Sequence, residues 1–193
     1  MLSAEQGVAM AAAADNTVTR DYTPWIIAGG LCLLNLVVFW GIWNFDSVNY
    51  DDNVFVFEHP AVKHGLTGPG ISNSIRGGIK GLWHPLTYLS HMLDIELFGL
   101  NPRPMHAVSL LLHMAATVLL FVVLRRLLRQ AARLKPPLVT WVSAFGAAAF
   151  AVHPQHVEPV AWIVSRKDVL SAFILMFTLW AYIRYTEKRS LPR

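Results

Sequence analysis

Four long apolar runs constrain the fold of this chain more than any other feature of its sequence. They cover residues 25–43, 105–124, 138–152 and 169–185. A helix needs roughly 20 apolar residues to cross the hydrocarbon core of a membrane. Because lipid offers the backbone no hydrogen-bond partners, runs that cross it must be helical. We therefore expect an all-α membrane protein with four transmembrane helices.

The composition agrees with a membrane protein and argues against two other classes. Hydrophobic residues make up 54% of the chain and charged residues only 15%, which is not typical of a soluble domain. The net charge of +4 is concentrated beside the apolar runs, with no aromatic-interleaved basic face, so we expect no nucleic-acid partner. Cys32 is the single cysteine, which excludes an internal disulfide.

The basic connector after the second run predicts the orientation in the membrane. It contains Arg125, Arg126, Arg129, Arg133 and Lys135. Basic loops stay in the cytoplasm, so the tails at 1–24 and 186–193 are also predicted to be cytoplasmic, the first of them disordered. The loop at 44–104 and the HPQHVEP segment then share the outer face. We predict an integral protein of the bacterial inner membrane.

Residues 85–97 of the outer loop carry a helical pattern with two distinct faces. The apolar stripe consists of Leu86, Leu89, Leu93 and Leu97. The polar stripe consists of Thr87, His91 and Asp94. This pattern predicts an amphipathic helix lying on the membrane surface.

The second run has a polar stripe of its own, and the third run is rich in small residues. The stripe consists of His106, Ser109, His113 and Thr117. Intervals of three and four residues place these side chains on one helix face, which must point into a protein interior because lipid would not satisfy it. Alanine and glycine at 146–149 predict close helix packing by the third run.

Two polar groups on the outer face are candidates for chemistry. Asp51 and Asp52 follow the first run, where a carboxylate could act as general base on a hydroxyl, bind a metal, or simply lie in a solvated turn. His153, His156 and Glu158 could hold a metal or satisfy a helix end with their polar side chains. We favour the helix end and predict no metal site.

Arg166 and Lys167 are basic residues on the side of the membrane where such residues are normally depleted. An anionic lipid phosphate would compensate them, with arginine binding bidentately and lysine as a point charge. The alternative is snorkelling to the interface with Asp168 as a local partner. His106 and His113 are interpreted as hydrogen-bonded packing residues that support such a site.

Several of these motifs together carry a family resemblance over residues 46–185. They are YDD after the first run, HPLTYLSHMLDIELFGLNPRPMH before the second, and AAFAVHPQHVEPVAWIVSRKDVLSAF. The combination resembles the transmembrane and tetratricopeptide-repeat protein family, which belongs with the GT-C membrane glycosyltransferases and is similar to protein O-mannosyltransferases. The resemblance implies that Asp51 or Asp52 is the catalytic acid and that the sugar donor is a polyprenyl phosphate.

The same resemblance assigns the remaining outer residues and leaves two functions open. It implies that Arg166 and Lys167 handle the donor phosphate and that the HPQHVEP segment lies on the same face. The family carries His-x-x-Asn where this chain has His106 and Ser109, and it continues through further spans and repeats. We therefore expect a truncated GT-C-like module, incomplete on its own, that transfers a sugar to a hydroxyl acceptor.

The alternative function is a non-catalytic subunit derived from such a module. Four helices with polar faces would then pack against other integral membrane proteins, which together with membrane lipids are the expected partners. The polyprenyl-phosphate sugar is the only cofactor-like molecule expected, and a divalent metal is not.

Overall fold

The computed structural model describes residues 21–79, 81–131 and 134–189. Most of the predicted disordered tail and the end of the C-terminal tail lie outside these residues. The α-helices are α1 (Thr23–Val38), α2 (Gly68–Arg76), α3 (Pro85–Phe98), α4 (Pro102–Ala131), α5 (Pro136–Ala151), α6 (Val157–Ala161) and α7 (Arg166–Arg189). Three single turns lie between them, at Trp40–Asn44, Asn53–Phe57 and Pro154–His156. The all-α prediction is therefore confirmed.

Prolines begin most of the longer helices, because the first helical turn needs no backbone N–H donor. Pro85, Pro102 and Pro136 each start a helix. The prolines of NPRP thus lie in the first turn of α4, which begins three residues before the span predicted at 105–124. Gly99 ends α3 with a φ of 69°, a left-handed conformation that favours glycine.

Two helices, Pro102–Ala131 and Arg166–Lys188, are long and apolar enough to cross a membrane. A third crossing exists if α5 and Pro154–Ala161, which are bent by 52° relative to each other, count as one broken span. The first helix, Thr23–Val38, is apolar but shorter. The chain is thus an integral membrane protein with two or three candidate spans among its described residues, and the four-span count stays a prediction.

Helix α4 is the central element of the bundle, and α1, α5 and α7 all pack against it. Small side chains bring α5 close, since Ala147 and Ala151 are fully buried. A Cβ atom added at Gly146 would lie 3.1 Å from Leu124 Cδ1 of α4. The close packing predicted from the alanines and glycine of the third run is confirmed.

Helix α3 matches its predicted extent and shows which of its two faces points inward. The polar stripe of Thr87, His91 and Asp94 is buried. On the other stripe, Leu86, Leu93 and Leu97 are exposed. The fourth leucine of that stripe, Leu89, is half-buried and packs against the core. The helix therefore turns its polar face to the protein and three of these four leucines outward, while its position at the membrane surface stays a prediction.

Candidate functional site

Arg166 lies at the centre of a buried polar cluster that joins three helices. It begins α7, and its side chain is 0% exposed. Nη1 lies 2.5 Å from Asp94 Oδ2 of α3. Nη2 donates to the Met105 carbonyl at 2.7 Å, and Nε donates to Ser109 Oγ at 3.3 Å, both on α4. The guanidinium thus holds α3, α4 and α7 together, with Ser90 Oγ accepting a further bond from Nη1 at 3.4 Å.

The cluster compensates a charge that would otherwise be too costly to bury. Asp94 provides the negative charge, and although burial raises the pKa of its carboxyl, the charge of Arg166 and its hydrogen bond oppose that rise. The predicted binding of a lipid phosphate by Arg166 stays a prediction. The donors named above point to partners inside the protein, and the side chain does not reach the surface.

Asp52 connects the first outer loop to the turn that precedes Arg166. Its Oδ2 accepts a hydrogen bond from the Val48 N–H at 2.8 Å, and its Oδ1 accepts one from the Val164 N–H at 3.0 Å. The carboxyl is fully buried. Burial raises its pKa, while these two backbone donors act in the opposite direction. The YDD motif and the segment before RKD, 112 residues apart in sequence, therefore meet at this side chain.

Asp51 and Lys167 are the sequence neighbours of Asp52 and Arg166, and both are more accessible to solvent than those two residues. Asp51 is half-buried, in contrast to its neighbour Asp52. The Lys167 side chain is 38% exposed, with Nζ 3.6 Å from Asp168 Oδ2. The local pairing with Asp168 that the sequence offered as an alternative is therefore present. Lys167 also lines a small cavity of about 40 Å³.

Two histidines are buried near Arg166 on different helices. His91 of α3 lines the small cavity beside Lys167. Its pKa lies well below the ordinary value, chiefly because burial disfavours the charged ring and secondly because Arg166 is close. His106 of α4 contacts the ring of Phe45 edge-on, with ring centroids 6.3 Å apart. His106 and His113 were both predicted to support the site, and both are fully enclosed.

Three further histidines form a second group two helical turns along α4. The His113 ring lies 5.0 Å from His156, which in turn lies 5.9 Å from His153. A ring nitrogen of His113 is 3.2 Å from the Ala151 carbonyl. Glu158 accepts a hydrogen bond from Ser165 Oγ at 3.4 Å and so braces the turn before Arg166. These contacts are those of packing residues at a helix end.

No metal-binding geometry accompanies these groups. Within 21–79, 81–131 and 134–189, no three His, Cys, Asp or Glu side chains are arranged to hold a metal ion. The polar stripe of α4, made of His106, Ser109, His113 and Thr117, is buried by the chain itself. The prediction that this face points into a protein interior is confirmed.

The partners of Arg166 were not identified from the sequence. The sequence places Asp94 and Ser109 on polar stripes without indicating that they contact Arg166, and it gives no role to Ser90. A signal existed, because a cation at the end of an apolar run requires a compensating acid, and Asp94 lies on a helix with no lysine or arginine of its own.

The known proteins that resemble this chain and are named below are all protein O-mannosyl-transferases. The chain is 37% identical over 115 residues to the protein O-mannosyl-transferase Tmtc1 of Drosophila melanogaster, covering 60% of this chain and 12% of that protein. It is 32% identical over 148 residues to Tmtc2 of the same organism, and 36% over 149 residues to TMTC1 of Mus musculus. Each of these two matches covers 72% of this chain and 15% of the relative.

The match is to a part of longer proteins, since the chain spans only 12–15% of the length of these relatives. No protein-family model matches the chain, and no solved structure does. The relatives are animal proteins and lend no support to a bacterial inner membrane, which stays a prediction. Their identity confirms the family resemblance: this chain is a homologue of a segment of the transmembrane and tetratricopeptide-repeat (TMTC) protein O-mannosyl-transferases.

Proposed function

We propose that this chain forms part of the active site of a membrane glycosyltransferase. The reaction moves a sugar, mannose by analogy with the relatives' names, from a polyprenyl-phosphate donor to a hydroxyl acceptor on the outer face. The observation that carries this proposal is the hydrogen bonding of Asp52, which joins the YDD motif to the segment before RKD. Motifs far apart in sequence thereby converge on one location.

Asp51 is the better candidate for the general base. A base must come within hydrogen-bond reach of the hydroxyl proton that it removes. Asp51 is half-buried and accessible, whereas Asp52 is fully enclosed and each of its oxygens already accepts a backbone N–H. In this proposal Asp51 takes the proton of the acceptor hydroxyl, whose oxygen bonds to the anomeric carbon of the sugar. The bond from that carbon to the donor phosphate oxygen breaks, and polyprenyl phosphate leaves with the electron pair. Asp52 is a positioning residue.

Lys167 is the candidate for contact with the donor phosphate. Its side chain is partly exposed, and it follows Arg166, whose buried ion pair fixes the start of α7. A lysine ammonium acts on a phosphate as a point charge. Arg166 then contributes by positioning Lys167, while His106, His113, His153, His156 and Glu158 support the surrounding turn.

The activity test compares conservative variants of the complete chain in membranes. Mannose transfer from a polyprenyl-phosphate donor to a hydroxyl-bearing peptide is measured for wild type, Asp51→Asn and Lys167→Gln. Loss of a general base lowers the rate by roughly 10²–10⁴-fold. Asp21→Asn, at the other end of the bundle, is the matched control. Unchanged transfer in Asp51→Asn would refute the assignment of the base.

Asp52→Asn separates the positioning role from the catalytic one. The amide can accept only one of the two backbone N–H groups and presents a donor to the other. This variant is expected to lose thermal stability together with activity, whereas Asp51→Asn keeps wild-type stability. Equal stability of the two variants would contradict the division of roles.

The proposed topology has four crossings with both ends of the chain in the cytoplasm. The bent pair of α5 and Pro154–Ala161 is then one crossing, and α1 with the Trp40–Asn44 turn is the first. If the bent pair crosses the membrane, three crossings separate Ser72 from Lys188 and the two residues lie on opposite sides. If the bent pair is a re-entrant loop, two crossings separate them and they lie on the same side. In a Cys32→Ser background, Ser72→Cys and Lys188→Cys should react with an impermeant maleimide from opposite sides. Labelling from the same side would exclude the bent pair as a span.

The second candidate function is that of a non-catalytic subunit, and one observation favours it. Asp52 and Arg166 direct their polar atoms to partners within the chain, as residues that only stabilise the fold would do. The polar stripe of α4 does not favour it, because the chain itself buries that stripe. Three results together would establish the subunit. The chain copurifies with another membrane protein, the Asp51→Asn variant binds that protein normally, and wild type has no transferase activity.

A further inference from the structure

A large cavity opens at the end of the bundle opposite to Arg166. Its volume is about 820 Å³, and it lies where α1, the C-terminal part of α4 and α7 come together. Its apolar wall consists of Trp25, Ala28, Val118, Phe121, Val122 and Trp180. Its rim carries Arg125, Arg126 and Arg129. Cavities of this size hold small molecules, and this one combines an apolar wall with a basic rim.

The rim has more positive than negative charge among its described lining residues. Three arginines face two carboxylates, those of Asp21 and Glu187, which leaves one positive charge uncompensated. Arg126 is paired with Glu187, with Nη1 2.6 Å from Oε2. Arg125 donates from Nε to Thr140 Oγ1 at 3.2 Å, which engages one of its five N–H donors. Arg129 is exposed.

The position of this rim along α4 matches that of a headgroup layer. Twenty residues separate His106 from Arg126, and a helix rises 1.5 Å per residue, so the two ends lie roughly 30 Å apart. That distance is about the thickness of the hydrocarbon core. Trp25 beside the rim is 78% exposed, as is typical of tryptophans at the membrane interface. A basic rim at this depth meets lipid phosphates.

We propose that this cavity binds an anionic membrane phospholipid. Its phosphate would lie between Arg125 and Arg129, where guanidinium groups can bind phosphate oxygens in bidentate fashion. One acyl chain would follow the wall formed by Ala28, Val118 and Phe121. Basic pockets between transmembrane helices recognise anionic headgroups in this way. The site is independent of the outer face and of any transferase activity.

The test measures lipids retained by the complete chain. Protein purified in mild detergent is exposed to vesicles of phosphatidylcholine, or of phosphatidylcholine with phosphatidylglycerol, and bound lipids are counted by native mass spectrometry. Wild type should retain phosphatidylglycerol in preference to phosphatidylcholine. Arg125→Gln combined with Arg129→Gln should lower that retention roughly ten-fold or more. The matched control, Arg76→Gln with Arg103→Gln, removes the same charge from the other end and should retain lipid normally.

A second variant separates the cavity from general charge attraction. Ala28→Trp fills the apolar wall without altering any charge, and it should lower retention of phosphatidylglycerol as well. Retention equal to wild type in both the double arginine variant and Ala28→Trp would overturn the proposal. Equal retention of the two lipids by wild type would overturn it too, as would full displacement by glycerol phosphate, which would show that the site takes a free anion.

Discussion

Two arginine–carboxylate pairs of nearly equal length occupy opposite ends of the bundle. The Arg166–Asp94 pair is 2.5 Å long, with side chains 0% and 5% exposed. The Arg126–Glu187 pair is 2.6 Å long, with side chains 26% and 37% exposed. Breaking a buried pair leaves an uncompensated charge without water, whereas exposed pairs contribute little. Burial, rather than distance, therefore decides what each pair contributes to the free energy of folding.

The surroundings of the two pairs also differ, since those of the Arg166–Asp94 pair are buried and those of the Arg126–Glu187 pair are open. Arg166 connects three helices and lies beside buried His91. Arg126 lies on the rim of an open cavity with a second carboxylate, Asp21, nearby. The first pair is thus part of the core, whereas the second is partly open to solvent. Four measurements test this difference.

The largest effect is expected from Asp94→Ala. It leaves the buried Arg166 guanidinium without its counter-charge, which should lower the free energy of unfolding by roughly 3–5 kcal/mol. Unfolding is followed in mixed micelles titrated with denaturing detergent. Asp94→Leu combined with Arg166→Met should recover most of the loss, because no uncompensated charge remains. A double variant as unstable as Asp94→Ala would show that the charge itself is not the cause.

A smaller loss is expected from Gly146→Leu, which lies between the two ends. A Cβ at Gly146 would already be 3.1 Å from Leu124 Cδ1, so a leucine must separate α4 from α5. Overpacking of this kind costs about 1–3 kcal/mol. Gly29→Leu is the matched control, because a Cβ there meets no atom within 4 Å. Helix propensity favours leucine over glycine at both positions, so comparable destabilisation by both variants would mean that the contact with Leu124 is not its cause.

The third effect depends on pH and concerns the buried end alone. Burial and Arg166 hold the pKa of His91 well below the ordinary value of 6.5, so the unfolded chain takes up the proton first as pH falls. This contribution to stability is present above pH 6.5 and is lost on acidification, by at most about 1.4 kcal/mol per pH unit. The difference in unfolding free energy between wild type and His91→Leu should therefore change between pH 7.5 and 5.5. A difference independent of pH would contradict the assignment.

The smallest effect is expected from Glu187→Gln. The pair with Arg126 is partly exposed to solvent, so its loss should cost no more than about 1 kcal/mol. The same titration in mixed micelles measures it, at low and at high salt. A loss as large as that of Asp94→Ala would mean that the membrane shields this pair as fully as the protein shields Arg166.

Much of the architecture was predictable because membrane helices have a strong local signal. The second apolar run and the two-faced pattern at 85–97 correspond to α4 and α3. Helix α4, Pro102–Ala131, extends beyond the predicted span of 105–124 at both of its ends. Proline in a first turn and arginine in a last turn are both compatible with a helix, and a hydropathy pattern does not include them.

The sequence singles out two residues of the candidate site but not the contacts that they make. Asp52 and Arg166 stand out in sequence as ionisable groups beside apolar runs. Their partners Val164, Met105 and Asp94 do not, because these contacts join residues far apart in the chain. The same limit applies to Asp51 and Asp52, which are neighbours in one motif and differ in burial and in hydrogen bonding only once the chain is folded.

The sequence by itself determined that this is an all-α membrane protein, because run length and helical periodicity are local properties that need no knowledge of neighbours. It also carried the family resemblance through several separate motifs. Only the tertiary structure decided that Arg166 is an internal ion pair, that Asp52 joins two motifs, and that Arg125 and Arg129 border a cavity. Those outcomes depend on how helices pack, and packing brings together groups whose separation in sequence gives no sign of their contact.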